Sequence, residues 1–244
     1  MRYLFSIRLF VVLVSITALQ ACGLEGMVLE QTGGTGTTKP TQAETASALK
    51  EALTKGIGQA AIDLSQVDGY FGNPRIRIPF PPEAEKIANT LRDIGMGKLV
   101  DDVELSVNRA AEDAAAKAKP IFVDAIRAMT IQDAMGILFG GENAATNYLQ
   151  EKTTASLTSA FKPVIQTSLD KVNATKFWTD AITAYNKIPL VKKQNPDLVD
   201  YVNTKALEGL FVKVGQEEAK IRENPIARTS SLLKKVFGYY DQNK

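Results

Sequence analysis

The chain has 244 residues, with 29 Lys and Arg against 27 Asp and Glu, and 45% of its residues are hydrophobic. It contains no histidine and one cysteine, which excludes Ser-His-Asp and Cys-His catalysis, histidine-based zinc sites and internal disulfide bonds. The near-neutral balance of charge gives no electrostatic case for binding nucleic acid.

Residues 1–21 have the pattern of a signal peptide. Arg2 and Arg8 precede an apolar run over residues 9–19. This run is too short for a membrane-spanning helix, which needs roughly 20 residues. Without residues 1–21 the 29 basic residues fall to 27, equal to the 27 acidic ones. The mature chain is therefore predicted to carry no net charge.

The signal ends in Leu19-Gln20-Ala21-Cys22, which resembles the lipobox of bacterial lipoproteins. The resemblance implies that Cys22 carries acyl chains, palmitate among them, and that these chains anchor the protein to a membrane. Gly23 follows, where many lipoproteins kept at the inner membrane have Asp, so we expect the outer membrane with the domain in the periplasm. The alternative is an ordinary secretory signal with a spare cysteine.

Residues 22–40 are rich in Gly and Thr and predict a flexible tether behind the acylated cysteine. The following residues, 41–244, predict a single helical domain. Its first helix is indicated by the capping box Thr41-Gln42-Ala43-Glu44 and by an apolar stripe from Ala46 to Val67. A helix is expected over residues 83–94.

Prolines and capping residues predict where the later helices begin and end. Pro120 is expected to kink or divide one helix, and Pro163 to break the helix predicted for residues 142–169. Thr130 and Asp133 predict the start of a short helix that ends at Gly140-Gly141. Another helix is expected from Asn195-Pro196-Asp197 to about residue 223, and a last one from Asn224-Pro225 to about residue 238.

One stretch departs from the helical period. Residues 75–78 alternate Arg-Ile-Arg-Ile after a Gly-Asn-Pro turn, which predicts a strand that pairs back with residues 70–71. The predicted fold class is therefore all-α, an irregular multi-helix bundle with one short β-hairpin arm near residues 70–79. The arm either packs its isoleucines inward and leaves its arginines solvated, or it binds a partner through Tyr70, Phe71, Arg75, Arg77 and Phe80.

Three segments carry a resemblance to a known family. They are Gly140-Gly141-Glu142-Asn143-Ala144-Ala145-Thr146-Asn147-Tyr148-Leu149, residues 206–211, and residues 217–225 continuing through 227–238. On these, residues about 47–238 resemble the bacterial family called domain of unknown function 4197. The resemblance implies exported, often lipid-anchored helical proteins. It implies no activity, cofactor or catalytic residue.

Two clusters have both a structural and a functional interpretation. Glu218 and Arg222 are four residues apart and predict an ion pair at a helix corner, whereas Arg222 with Arg228 would instead bind a carboxylate or phosphate. Trp178, with Phe177 and Tyr185 at helical spacing, favours a core position over a ligand platform.

Three classes of function remain open at this stage. The first is a non-enzymatic binding or interaction module, tethered to the periplasmic face of the outer membrane, with an envelope protein as partner. The second is a carrier of a small amphiphile or lipid in a cavity between helices, which an apolar pocket would favour. The third is an enzyme that uses carboxylate and Arg groups. No catalytic residue, metal site or cofactor is predicted, and the oligomeric state stays open.

Overall fold

The computed structural model describes residues 39–81, 84–187, 189–190, 193, 195, 197–224 and 229–242. For residues 91, 181, 184 and 185 it describes the backbone alone. The predicted signal peptide, Cys22, the tether up to residue 38 and Arg228 lie outside the described residues. Their assignments stay predictions.

The described part of the chain contains nine α-helices and no β-strand. The helices are α1 (Gln42–Leu64), α2 (Glu85–Asp93), α3 (Gly97–Ala115), α4 (Ala118–Ala128), α5 (Ile131–Phe139), α6 (Ala144–Asp170), α7 (Ala174–Asn186), α8 (Leu198–Glu223) and α9 (Ser231–Gln242). The all-α prediction is confirmed.

The capping box predicted for α1 is present. The backbone N–H of Glu44 donates to Thr41 Oγ1 at 3.1 Å, and the N–H of Thr41 donates to Glu44 Oε2 at 2.8 Å. The apolar stripe behind it is buried as far as Leu64, the last residue of the helix. Val67 lies beyond that end and is 77% exposed, so its place in the stripe was predicted wrongly.

The two prolines have different effects. α3 and α4 are separated at residues 116–117, and Pro120 is the third residue of α4, which confirms the predicted division. The break predicted at Pro163 is wrong, because α6 continues through it. Phe161 and Ile165 on either side are fully buried, so their packing outweighs the backbone bond that the proline removes.

The last two helices begin later than predicted. α8 begins at Leu198 with Asp197 as its cap, whose carboxylate accepts the N–H of Asp200 at 2.9 Å. α9 begins at Ser231, where Ser230 Oγ accepts the N–H of Leu233 at 3.1 Å. In both cases a capping oxygen nearer the helix, and not the earlier asparagine, sets the start.

The predicted β-hairpin arm near residues 70–79 is not present. This connection instead makes tight turns, in which Gly72 N–H donates to Asp68 O at 3.0 Å and Arg77 N–H donates to Asn73 O at 2.8 Å. Side chains of α3 take the place of a partner strand, as described below. The predicted alternation does hold, since Ile76 and Ile78 are buried while the arginines beside them are exposed.

The centre of the bundle is an antiparallel pair, α6 and α8. Glu218 near the end of α8 contacts the start of α6, while Asp200 near its beginning forms an ion pair with Lys162 at 2.9 Å. α1 packs against the other side of α8, where Lys213 and Asp63 pair at 3.1 Å. Of the remaining helices, α3, α4, α5 and α7 pack on α6, α9 packs on α1, and α2 packs on α3.

Candidate functional site

Tyr70, the first residue of the predicted arm, lies in the core. It is fully buried, and its hydroxyl donates to Ala206 O in α8 at 2.7 Å. Burial raises the pKa of Tyr70 above its usual value, and the negative charge of Glu112 adds a smaller increase. A residue held in this way fixes the connection to the bundle and is not presented to a partner.

The turn around Tyr70 is held by a buried glutamate of α3. Glu112 Oε1 accepts the backbone N–H groups of Tyr70 at 3.0 Å and Phe71 at 3.2 Å. Its other oxygen pairs with Arg109 at 2.6 Å, and Arg109 also pairs with Asp68 at 2.8 Å. We call these five residues the Glu112 corner.

The other arm residues have different surroundings. Arg77 lies over the Phe71 ring at 4.0 Å and pairs with Glu104 of α3 at 2.9 Å, so the Arg77 side chain contacts the bundle. Arg75 is exposed. Phe80 is half-buried against α7, where its ring meets Trp178 edge to face at 5.8 Å. The five predicted residues therefore do not form one surface.

The predicted pair of Glu218 and Arg222 is present at the start of α6, with Glu218 buried and Arg222 half-buried. Glu218 is 4% exposed, and it accepts the N–H groups of Ala145 at 3.1 Å and Thr146 at 2.8 Å. Arg222 Nη2 lies 2.7 Å from Glu218 Oε1 and also donates to Ile137 O at 2.9 Å. We call these five residues the Glu218 corner.

The Glu218 corner supplies the N-terminal cap that α6 lacks locally. Asn143, the residue before α6, has φ 65° and makes no capping hydrogen bond with its side chain. A carboxylate from α8 takes its place, at the end of the helix where the macrodipole favours negative charge. Because Nε and Nη2 of Arg222 are engaged within the fold, the predicted anion site would have to displace Glu218.

A cleft of about 820 Å³ adjoins this corner. The turn of residues 140–143 forms one side, and Gly140 ends α5 as predicted. α6 begins at Ala144, two residues later than the predicted start at 142. Phe139 is exposed at its edge. Two of the charged residues that line the cleft, buried Glu218 and half-buried Arg222, already bind each other, so they are accounted for by the fold.

A second cavity, of about 230 Å³, is apolar and lies between α2, α3 and α7. Its described lining consists of Phe80, Ala84, Ile87, Leu99, Val100, Val103, Ala174, Phe177, Trp178 and Ile182. We call this set the apolar cavity. Apart from the indole of Trp178, every described side chain that lines it is a hydrocarbon.

Two parts of the cavity wall have causes that can be identified. Ala174, Phe177 and Trp178 recur at helical spacing and share one face of α7. Phe80 is held in place from two residues away, because Asn108 on α3 accepts the N–H of Ile78 and donates to its carbonyl, both at 2.8 Å. Phe177 is 51% exposed and lies at the rim.

Trp178 is buried and belongs to the hydrophobic core, as the sequence favoured, and it also lines the apolar cavity. The sequence could not reveal the cavity, because its walls come from residues 80–103 and 174–182, which are far apart along the chain. The one sequence signal was the aromatic pair at 177–178. The side chain of Tyr185 lies outside the described part.

The described carboxyl groups with clearly shifted pKa values are Glu44, Asp63, Asp133 and Asp170, and each pKa is lowered. None of these four lines the apolar cavity or pairs with an arginine within the described part of the chain. In the same part, no group of three or more His, Cys, Asp or Glu side chains is arranged to hold a metal ion. No described helix is long and apolar enough to span a membrane.

A family model described as "Protein of unknown function (DUF4197)" matches residues 39–238. The chain belongs to this family. The match confirms the resemblance carried by residues 140–149, 206–211 and 217–238, and the DUF4197 region includes both the Glu218 corner and the apolar cavity. No curated protein and no solved structure matches the chain.

Proposed function

We propose that this DUF4197 domain is a non-enzymatic binding protein that holds a small apolar or amphiphilic molecule in the apolar cavity. The observation that carries the proposal is a cavity of about 230 Å³ whose described lining is hydrocarbon except for one indole. An empty apolar cavity of about 150 Å³ is large enough to bind benzene. This cavity therefore has room for a somewhat larger ring system or a short alkyl chain.

The cavity favours the apolar part of a ligand and excludes a charged one. An ionised group moved into hydrocarbon surroundings without a partner is strongly disfavoured, so a charged headgroup has to stay at the rim beside Phe177. A ligand that buries about 200 Å² of apolar surface gains about 5 kcal/mol, from which the cost of association is subtracted. We expect dissociation constants in the micromolar to millimolar range.

We further propose that the domain works in the bacterial cell envelope, anchored to the outer membrane through acylated Cys22. The support is the lipobox-like Leu19-Gln20-Ala21-Cys22 and the Gly/Thr-rich tether behind it. One acyl group alone binds a protein to a membrane reversibly, whereas several acyl groups hold it there firmly. A tethered domain of this kind can meet molecules that leave or enter the membrane.

The proposal is tested with residues 23–244, purified without detergent because detergent would fill the cavity. Trp178 is the only tryptophan of the chain, so its fluorescence reports directly on the cavity. Titration with an uncharged naphthalene derivative is expected to change this emission and to saturate. Native mass spectrometry of the same sample then shows whether a molecule from the expression host is already bound.

The matched variants are Val103→Phe, which fills the cavity, and Val212→Phe, which adds the same side chain at a position 44% exposed on α8. Val103→Phe is expected to weaken binding at least tenfold, while Val212→Phe leaves it unchanged. Equal binding by both variants, or no binding by the unmodified chain, contradicts the proposal.

A further inference from the structure

The indole N–H of Trp178 is buried and has no hydrogen-bond partner. It is one of two such side-chain atoms among the described residues, the other being Asn203 Oδ1 in α8. Trp178 is 6% exposed and belongs to the wall of the apolar cavity. Of the two, Trp178 is therefore the one in contact with an empty space that a ligand can enter.

An unpartnered donor at this place needs an explanation. A buried tryptophan usually finds an acceptor for its N–H, and leaving a buried donor unpaired costs about 1–3 kcal/mol. A phenylalanine would pack edge to face with Phe80 equally well and would carry no such donor. Packing alone therefore does not account for an indole in the cavity wall.

Among the described residues that line the cavity, the indole N–H of Trp178 is the only polar side-chain group that a ligand could contact. The other lining side chains are hydrocarbons, so they neither donate to nor accept from a bound molecule. A ligand oxygen inside the cavity would be unpaired unless it meets the Trp178 N–H. A second buried polar group on the ligand would have no partner in the described walls.

We propose that the part of the ligand inside the cavity is uncharged and carries one hydrogen-bond acceptor, a carbonyl or ether oxygen, which binds Trp178 Nε1. This inference rests on the proposed function of the cavity and narrows its ligands to neutral molecules of one or two rings, or of equal volume. In the structure neighbouring atoms cover the N–H, so the indole has to turn as the acceptor enters. The cavity beside it provides the space for that turn.

The test compares two molecules of nearly equal size, 2-acetylnaphthalene, which has a carbonyl, and 2-ethylnaphthalene, which has none. Both are titrated by calorimetry into residues 23–244 and into the Trp178→Phe variant. The ratio of the two affinities is expected to shift about tenfold against the ketone in Trp178→Phe, since a net hydrogen bond is lost for that molecule alone. Using a ratio cancels the general effect of the smaller ring on packing.

A second measurement needs no variant, so it holds even if Trp178→Phe fails to fold. The single tryptophan gives one indole N–H resonance in a ¹H–¹⁵N spectrum of the ¹⁵N-labelled chain. This resonance is expected to move downfield with the ketone and to move little with the hydrocarbon.

The outcomes separate the two proposals. If both molecules bind, with the same affinity ratio in both proteins and with equal shifts of the indole resonance, the acceptor inference is overturned while the cavity remains a binding site. If neither molecule binds the unmodified chain, the proposed function fails as well.

Discussion

The Glu218 corner and the apolar cavity treat their buried polar atoms in opposite ways. At the Glu218 corner, a buried carboxylate meets two backbone N–H groups, a hydroxyl and a guanidinium, each within 3.1 Å. In the wall of the apolar cavity, the buried N–H of Trp178 has no hydrogen-bond partner, and the residue borders a space of about 230 Å³. The first arrangement is complete as it stands, and the second is not.

The difference separates a cluster that the fold accounts for from the cavity that we propose as a binding site. In a sequence, clusters of charged residues are the usual candidates for a binding site, and the densest polar cluster here is the one around Glu218 and Arg222. Yet buried charges persist where the fold already satisfies them, as the Glu112 corner does a second time on α3. Unfilled space and an unsatisfied donor are better indicators, and neither is visible in a sequence.

The largest expected effect is the loss of the buried carboxylate in Glu218→Ala. The change removes the acceptor of two buried backbone N–H groups, and leaving a buried donor unpaired costs about 1–3 kcal/mol for each group. Arg222 loses its ion pair but keeps its hydrogen bond to Ile137 O. Urea unfolding followed by circular dichroism measures the loss of stability. The control is Glu223→Ala, at an exposed position on the same helix, which is expected to change stability by less than about 0.5 kcal/mol. Equal effects from the two variants would show that the corner is not what holds α6.

The next effect in size is expected from adding a methyl group to a filled region of the core, in contrast to adding one to the cavity. A Cβ at Gly209 would lie 2.7 Å from Cε1 of Tyr70, whose ring is fully buried, so Gly209→Ala is expected to cost about 1–3 kcal/mol. Val103→Ile, which adds a methyl group to the cavity lining, is expected to be neutral or slightly stabilising.

The control for the glycine is Gly136→Ala in α5, where a Cβ meets nothing within 4 Å and the helix gains up to about 1 kcal/mol. Thermal unfolding of the three variants checks the series. If Val103→Ile destabilises the domain as much as Gly209→Ala, the cavity is not open space and the comparison fails.

The smallest effect is expected from an ion pair at the surface. The hydrogen bond from Lys235, and then that from the Thr41 backbone, lowers the pKa of Glu44 to about 2 from its usual 4.5. A lowered pKa in the folded state means that the stabilisation is present above pH 4.5 and is lost as the pH falls towards 2. Lys235→Met should therefore lower Tm modestly at pH 6 and not at pH 2, whereas Lys234→Met at an exposed position should do neither. A deficit in Lys235→Met that persists at pH 2 would exclude the ion pair as its cause.

Parts of the fold could be predicted because their causes are local. The capping box at Thr41 and Glu44 and the division of a helix near Pro120 each depend on residues within one or two turns. So does the pair of Glu218 and Arg222, which four-residue spacing places on one helix face. The family match over residues 39–238 likewise follows from sequence segments alone.

The errors and omissions come from contacts between distant segments. The alternation of residues 75–78 predicted a strand, but Asn108 and Glu112 of α3 bind this connection and remove the need for a partner strand. Pro163 did not break α6, because the buried residues around it pack on several other helices.

The sequence by itself determined the helical class, most helix positions and the DUF4197 membership, since these follow from periodicity, capping and segment identity. Only the tertiary structure decided which polar groups are satisfied and where space is left over. Those properties depend on how α2, α3 and α7 meet, and no periodicity within one helix describes a gap among three.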